Sequence, residues 1–345
     1  MIDFRYHIVS LIAVFLALAV GVVLGAGPLQ GSIGDQLTEQ IENLRQEKED
    51  LRVELERSQA LSGELAVFVD GTSQQLLAGV LTDVDVAVVE TAGASAAVTG
   101  ALLDRVEQAG GTVVAHVALT PRWTDAADAP VRDETAETVV EQMAAPPPAE
   151  TANSQVLGMA LGQALTQRES LSSEALTARA RELYTTLRDA DLVSEVLAPS
   201  TPADVVLVVA PATDPGAEPD TSVQGINVDT VTGLAGSHAV VAGTDTEESD
   251  LLDAIRADAE AAEAVSTVDS ADLISGQVTA PLALAALARG APVGHYGTGE
   301  SASAVIPTLP PLDDPSDTAD DSSAGSSTED STDSATDSAT EETTP

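Results

Sequence analysis

The sequence contains no cysteine and only one lysine, Lys48, among its 345 residues. Without cysteine, the chain cannot form disulfides, use a thiolate nucleophile or hold an iron–sulfur cluster. A Schiff-base enzyme would have to use Lys48, which stands in a highly charged segment. Aromatic residues make up only 2% of the chain, so the hydrophobic core must be built from Ala, Val and Leu.

Positive charge is also scarce. The chain has 14 Lys and Arg against 56 Asp and Glu, which gives a formal net charge of −42. Nucleic acid is excluded as a partner because phosphate contacts need Lys and Arg. Simple electrostatic adhesion to an anionic membrane surface is disfavoured for the same reason. The length is enough for roughly two globular domains at most.

One long apolar run stands near the start of the chain. Residues 8–26 contain no charged side chain, and as a helix they would cover roughly 29 Å, close to the hydrocarbon thickness of a bilayer. The run predicts a transmembrane signal anchor at 8–27. Arg5 precedes it and the next basic residue is Arg45, so residues 1–7 are expected in the cytoplasm and the rest outside. The alternative is a signal peptide cleaved after Gly27. Both interpretations export the remainder.

Residues 35–65 predict a coiled coil. Apolar residues recur there at a spacing of 4, 3, 7 and 4, with Lys48 on the same seam: Leu37, Ile41, Leu44, Leu51 and Leu55. The pattern favours a parallel homo-oligomeric stalk of roughly 45 Å, in which Lys48 sets the register. Oppositely charged or polar pairs one turn apart support the helix, namely Glu42–Gln46, Arg45–Glu49 and Arg52–Glu56. A single amphipathic helix packed on its own domain is the alternative.

Residues 66–307 alternate between strand and helix patterns. Short apolar runs predict strands at 85–90, 112–118, 205–210, 239–242 and 265–268. Helices are predicted at 65–77, 96–108, 133–143, 247–263 and 277–289, with two more in 151–190 that break near Ser170. This order predicts an extracytoplasmic α/β domain with a Rossmann-like parallel sheet covered on both faces.

The last segment, 308–345, has a different composition. It carries eleven acidic residues and no basic ones, in a background of Ser, Thr, Ala and Pro. Such a segment cannot bury enough apolar area to offset its ordering entropy. We therefore expect a disordered acidic tail.

The residues that carry chemistry are scattered. The four histidines, His7, His116, His238 and His295, share no metal-ligand spacing, and neither a nucleophile elbow nor a phosphate loop is present. The run Gly294–Gly299 is Gly-rich, but it follows a helix, so a tight turn is favoured over a ligand loop. Residues 244–248 are typical of a helix N-terminus with acidic first-turn residues. We predict no catalytic residue, no cofactor and no enzyme activity, and the pattern assigns no metal ligand.

Several blocks carry a resemblance to a known family. The start MIDFRYHIVSLIAVFLALAVGVVLGAGPL is followed by the coiled coil, by Leu119-Thr-Pro121, and by later blocks at 265–270, 276–278, 286–287 and 294–297. Over roughly residues 1–307 the chain resembles the actinobacterial copper-transport family known as MctB. The resemblance implies a cell-envelope protein of copper transport and homeostasis, with an outer-membrane pore role suggested for mycobacterial members.

The residues themselves limit how such a role could work. Copper(I) prefers Cys, Met and His ligands, and the three methionines, Met1, Met143 and Met159, are as scattered as the histidines. One spanning helix encloses no channel, and the strands lack the long in-and-out alternation of membrane barrels. We therefore expect a single-pass membrane protein with an extracytoplasmic bulk, acting as an oligomeric non-catalytic component.

The expected partners of such a component are the membrane, through residues 8–27, and further copies of the chain, with copper ions or other envelope proteins in addition. An outer-membrane location follows from the family rather than from the residues. The first alternative function is a structural coiled-coil scaffold of the envelope with no metal role. The second is an α/β enzyme, for which the sequence offers no nucleophile, cofactor loop or metal cluster.

Overall fold

A computed structural model describes residues 4–144, 147–170, 175–212, 220–244 and 251–311, without side chains for 26–35. The chain divides into two compact units, Met1–Ser73 and Gln74–Pro345, which are described separately. The predicted acidic tail lies outside the described residues from 312 onward, as do residues 245–248 of the predicted helix N-terminus.

The first unit consists of a single helix element. Helix α1 covers Phe4–Leu77 without interruption, whereas the sequence predicted an anchor, a stalk and a short helix at 65–77 as separate pieces. Its first 22 residues, Phe4–Gly25, have a mean hydropathy of 2.9 and are not buried by other residues. This stretch is long and apolar enough to cross a membrane, and it begins four residues before the predicted anchor.

The stalk region of α1 keeps its apolar seam in solvent. Leu37, Leu44 and Leu51 are each more than half exposed. Arg52 pairs with Glu56 at 3.1 Å, as the spacing predicts. Arg45 lies 3.6 Å from Glu42 instead of pairing with Glu49. Ion pairs this exposed contribute little to stability. The apolar seam, rather than these charges, therefore determines how this face of the helix packs.

The second unit is built on a seven-stranded sheet of order β3-β2-β1-β4-β5-β6-β7. Its strands are β1 Asp85–Glu90, β2 Thr112–Leu119, β3 Val193–Leu197, β4 Val205–Val209, β5 Ala239–Ala242, β6 Ser266–Val268 and β7 His295–Tyr296. Every neighbouring pair is parallel except β2 with β3. The prediction of a mixed α/β fold is therefore confirmed. The antiparallel edge strand was not predicted.

The antiparallel strand β3 corrects the prediction of an all-parallel sheet. Helix α5 ends next to Ala190, and Asp191 then takes a left-handed conformation with φ of 57°. This tight reversal lets Leu192 accept a hydrogen bond from the backbone N–H of Thr120 at 3.0 Å, which starts pairing with β2 in the opposite direction. The connection from β2 to β3 contains α3, α4 and α5 and is long enough for either direction, so the reversal after α5 and not the length of the connection sets the antiparallel pairing.

Helices cover both faces of the sheet. They are α2 Ala96–Gln108, α3 Ala129–Gln142, α4 Asn153–Thr166, α5 Ala178–Asp189, α6 Thr221–Gly233, α7 Leu251–Ala257, α8 Ala259–Ala264 and α9 Ile274–Ala288. The sequence did not predict α6. It also predicted one helix at 247–263, which is wrong because Asp258 caps a new helix, accepting hydrogen bonds from the backbone N–H groups of Glu260 and Ala261.

Successive side chains of the strands point to opposite faces of the sheet and form an apolar layer on each face. Ala87 and Val89 of β1 join the larger core beneath α3, α4 and α5, together with the buried Trp123. Val86 and Val88 of the same strand are equally buried and point to the opposite face, where α9 packs on β4, β5 and β6 and touches α2. Burial on both faces explains the continuous apolar runs of the central strands.

Candidate functional site

The sheet reverses its strand order between β1 and β4, which is where open α/β sheets of this kind bind ligands. Here the two following segments hydrogen-bond to each other. Thr91 donates from its backbone N–H and its hydroxyl to the carbonyl of Val209, at 3.0 and 2.9 Å. Ala94 then forms a β-bridge with Pro211. The described parts of these two segments thus stay paired past the ends of β1 and β4.

The most polar buried feature lies further along the same edge, at the end of β6. Asp269 follows the last residue of the strand, and Arg256 of α7 reaches it from the neighbouring helix. Nη2 of Arg256 lies 3.1 Å from Oδ2 of Asp269, and the two side chains are only 4% and 3% exposed. A buried charge is tolerated only when it is paired and hydrogen-bonded, so the surroundings of this pair decide its role.

Asp269 accepts from a loop that wraps around it. The backbone N–H of Thr298 donates to Oδ1 at 2.9 Å and that of Gly299 donates to Oδ2 at 3.2 Å. The hydroxyl of Ser270 adds a third bond to Oδ1 at 3.1 Å. Both carboxylate oxygens are therefore satisfied from inside the protein, and the ionised form of Asp269 is well solvated by these donors.

Arg256 is held as completely as its partner. Nε donates to the hydroxyl of Thr267 at 2.8 Å, Nη1 to the hydroxyl of Ser301 at 3.0 Å, and Nη2 also to the carbonyl of Tyr296 at 3.1 Å. The guanidinium thereby ties α7 to β6 and to the segment after β7. We call Arg256, Asp269 and the loop 297–301 the Asp269 centre.

The Gly-rich run predicted as a tight turn forms part of this centre. His295 and Tyr296 form β7, which pairs parallel with β6. The chain then turns at Gly297 with φ of +137°, and a Cβ at this position would overlap the carboxylate of Asp269. The run is therefore a short edge strand followed by a turn, and the anion that the N–H groups of Thr298 and Gly299 bind is the protein's own Asp269.

The histidines do not come together. His295 lies 3.0 Å from the hydroxyl of Thr267 through Nδ1, and burial, with Arg256 nearby, lowers the pKa of its imidazole. His116 lies 2.6 Å from Glu90 on the neighbouring strand. His238 has a left-handed backbone, with φ of 49°, and approaches the carbonyl of Asp204. His7 is exposed on α1.

Metal-ligating side chains are equally dispersed across the part of the chain that the structure describes. No group of three or more His, Asp or Glu residues there is placed to hold a metal ion. Met143 is buried in the core and Met159 packs against it, while Met1 lies outside the described residues.

Clefts also lie elsewhere in the second unit. One, of about 490 Å³, lies at the amino ends of the strands and contains Asp204, which is 2.6 Å from Arg168 and also accepts the backbone N–H of Asp85. Another, of about 480 Å³, is lined by Met159 and Glu260, and Gln155 donates to Glu260 at 2.9 Å. Asp204 and Glu260, one in each cleft, therefore already have partners inside the protein.

Sequence reasoning missed the Asp269 centre. The blocks 265–270 and 294–297 are far apart in the sequence, and Arg256 stands within the helix predicted at 247–263. The available signal was an Asp directly after a buried strand, at the carboxyl edge of a parallel sheet where polar side chains converge. Asp269 is 13 residues from Arg256 and 29 residues from Thr298. No helix or strand period links residues at these separations, so the sequence pattern did not connect them.

The fold and the site define an α/β protein with an apolar amino-terminal helix and a closed polar centre at the carboxyl edge of its sheet. Comparison with known proteins gives the family. Residues 1–307 match the family described as "Copper transport outer membrane protein, MctB". The chain belongs to this MctB family, whose members include several curated mycobacterial proteins.

Those relatives are similar along nearly their whole length. "Copper transporter MctB" of Mycobacterium tuberculosis strain H37Rv is 32% identical over 327 residues, which cover 88% of this chain and 99% of that protein. The protein of the same name from Mycobacterium leprae is 31% identical over 330 residues, with the same coverage. The resemblance read from the sequence is confirmed.

Proposed function

We propose that this chain is a membrane-anchored component of copper transport in the cell envelope. The similarity over residues 1–307 to proteins named for copper transport carries the proposal. The anchor lies in Phe4–Gly25, which has a mean hydropathy of 2.9 and is not buried by other residues. Such a surface is stable in lipid and unfavourable in water.

The second part of the proposal concerns topology. Arg5 is at the amino end of the anchor, and the chain then has no basic residue until Arg45. The positive-inside rule places the amino terminus in the cytoplasm and the α/β domain on the outer side. The family description names the outer membrane. A location in the outer membrane is the alternative to the cell membrane, and membrane fractionation distinguishes the two.

The third part concerns mechanism. Among the described residues, the buried charges of the Asp269 centre are saturated by internal partners, and no group of candidate ligands converges. These observations favour an indirect role over capture of copper inside the α/β domain. The chain then acts as a non-catalytic component that oligomerises through α1 and presents its α/β domains to other envelope proteins.

A second candidate is a structural scaffold with no role for a metal. The exposed seam of α1 favours it, since a helix with this pattern assembles whatever its cargo. The two candidates share anchor, stalk and topology. They differ only in whether loss of the protein changes copper handling.

The experiment is deletion of the gene followed by complementation with the full chain. Cell copper content and copper tolerance are measured by elemental analysis and growth, with zinc content as the control. The proposal predicts that deletion changes copper content and tolerance, that zinc is unaffected, and that the full chain restores both. Unchanged copper content and tolerance would leave the scaffold as the function.

A further inference from the structure

The inference starts from one face of α1, which we call the stalk seam: Leu37, Ile41, Leu44, Lys48, Leu51 and Leu55. These residues alternate at spacings of four and three, so they form one stripe along the helix. The five apolar members are between 45% and 63% exposed. An apolar stripe of this width is buried by packing against another helix.

We infer that the stalk seam docks on the same seam of a second copy of this chain, in a parallel and in-register two-stranded coiled coil. The inference rests on the proposed function in one respect, because a shared membrane anchor puts the amino ends of both copies on the same side. The seam itself supplies the packing surface, and the flanking charges supply the orientation.

The flanking charges fit a parallel pair. With Leu44 and Leu51 at the d positions of the heptad, Glu47 occupies a g position and Arg52 the following e position. In a parallel coiled coil, a g residue faces the e residue five places later on the other helix. Glu47 of each copy therefore faces Arg52 of the other, which gives two opposite-charge pairs for each dimer.

An antiparallel pair would place like charges together. In that arrangement e positions face e positions and g positions face g positions. Arg45 and Arg52 both stand at e, while Glu47 and Glu54 both stand at g. Each flank of an antiparallel pair would then carry charges of one sign only. The sequence thus disfavours the antiparallel alternative on both flanks.

Lys48 restricts the number and register of helices. It occupies an a position between the d positions of Leu44 and Leu51. In a two-stranded coil its long stem covers the seam while the ammonium group reaches water beside Glu47 of the second copy. A trimer would enclose three such cations, and a shift by one heptad would set Lys48 against Ile41 or Leu55. A single charged a position therefore selects the in-register dimer, with a loss of stability.

The pairs seen within one helix do not prevent this docking. Arg52 donates through Nε to Glu56 at 3.1 Å, and both side chains are more than 60% exposed. A guanidinium has five N–H donors arranged as a fork. Arg52 can keep Glu56 on its own helix and meet Glu47 of the second copy with its terminal nitrogens.

The orientation is tested by cross-linking the full chain in lipid nanodiscs. Because the natural chain has no cysteine, an introduced one is unique. Leu37→Cys and Leu51→Cys should each form disulfide-linked dimers of twice 35.0 kDa under mild oxidation. Gln46→Cys, on the opposite side of the helix, is the matched control and should stay monomeric.

Other outcomes of this test overturn the inference. Cross-linking of a Leu37→Cys chain only with a Leu55→Cys chain would mean an antiparallel pair, in which a d position of one helix faces an a position of the other. Equal cross-linking at Gln46→Cys would mean random collision, and no cross-linking at either leucine would mean that the seam does not dock on itself. Native mass spectrometry of the same samples must give dimers, since trimers would contradict the role of Lys48.

The charge pairing has its own test. Glu47→Arg and Arg52→Glu should each weaken self-association of the full chain about two- to tenfold, since each leaves like charges opposed on both flanks. The double variant should restore it, and an equimolar mixture of the two single variants should form mixed dimers in preference to either homodimer. Equal association in all of these would exclude the Glu47–Arg52 pairing.

The role of Lys48 is tested in the same way. The Lys48→Ile chain should self-associate more tightly than the natural chain. Unchanged self-association would mean that Lys48 does not lie on the stalk seam.

These measurements fail independently of the proposed function. If cross-linking fails while deletion still alters cell copper, the docking inference is wrong and the copper role stands. If cross-linking succeeds while copper content is unchanged, the dimer stands and the scaffold function replaces the copper role.

Discussion

Arg256 and Asp269 form an ion pair that is almost fully enclosed, with Nη2 and Oδ2 at 3.1 Å and side chains 4% and 3% exposed. The pair joins a helix to the end of β6 and, through its other hydrogen bonds, to the loop after β7. It therefore holds the last strand of the sheet in place. Its satisfied donors and acceptors indicate a structural role.

The first prediction concerns this pair. Asp269→Asn should lower the free energy of unfolding of the α/β domain by about 3–5 kcal/mol, because the Arg256 charge is left buried without its partner. Unfolding is followed in detergent by the fluorescence of Trp123, the only tryptophan, which is fully buried. Asp272→Asn, at an exposed position three residues away, is the control. If Asp269→Asn lowers the free energy of unfolding no more than this control does, the Asp269 centre does not stabilise the domain.

The second prediction concerns Gly297. Gly297→Ala should destabilise the domain by roughly 2 kcal/mol or more, because its φ of +137° is strained for alanine and a Cβ would overlap Asp269. Gly225→Ala provides the contrast. It lies within α6, has nothing within 4 Å of its Cβ position, and should stabilise by about 0.5–1 kcal/mol. Equal effects of the two variants in denaturant titrations would contradict the loop geometry.

The third prediction concerns acid. Burial, followed by the charge of Arg256, lowers the pKa of His295 below its usual 6.5. The unfolded chain therefore takes up a proton more readily than the folded one, and stability should fall as pH drops through about 6.5. His295→Gln should flatten the pH dependence of unfolding between pH 7 and 5.5, measured by Trp123 fluorescence. An unchanged slope of stability against pH would mean that other titrating groups cause the pH dependence.

The fourth prediction concerns the anchor. Val14 stands near the middle of Phe4–Gly25. Val14→Arg should oppose insertion by roughly 2.5–3.5 kcal/mol and move most of the protein out of the carbonate-resistant membrane fraction. Val14→Leu should leave the distribution unchanged. Full retention of the Val14→Arg chain in membranes would indicate attachment through another part of the protein.

The sequence predicted the elements that have strong local patterns. The buried runs around Val86 and Val206 and the anchor are examples, because continuous apolar residues leave few alternatives. Strand β3 was missed because Val193-Ser-Glu-Val-Leu197 is short and mostly exposed at the sheet edge. Helix α6 was missed because its apolar residues form no clear stripe.

The Asp269 centre could not be predicted because it depends on tertiary contacts. Asp269, Arg256 and Thr298 lie on a strand end, a helix and a loop, and only the folded sheet edge brings them together. The break at Asp258 was hidden by the helical composition on either side. By contrast, the stalk pattern is local to one helix, so its seam was visible from the sequence.

The proposed function depends most on the side of the membrane that the α/β domain occupies, and the natural absence of cysteine allows a direct measurement of that side. Glu137→Cys places a thiol on the exposed face of α3, and Ile2→Cys places one before the anchor while keeping Arg5. In cells stripped of outer layers, a membrane-impermeant maleimide should label Glu137→Cys at once and Ile2→Cys only after lysis. Labelling of Ile2→Cys alone in intact cells would place the domain in the cytoplasm and contradict the proposed topology.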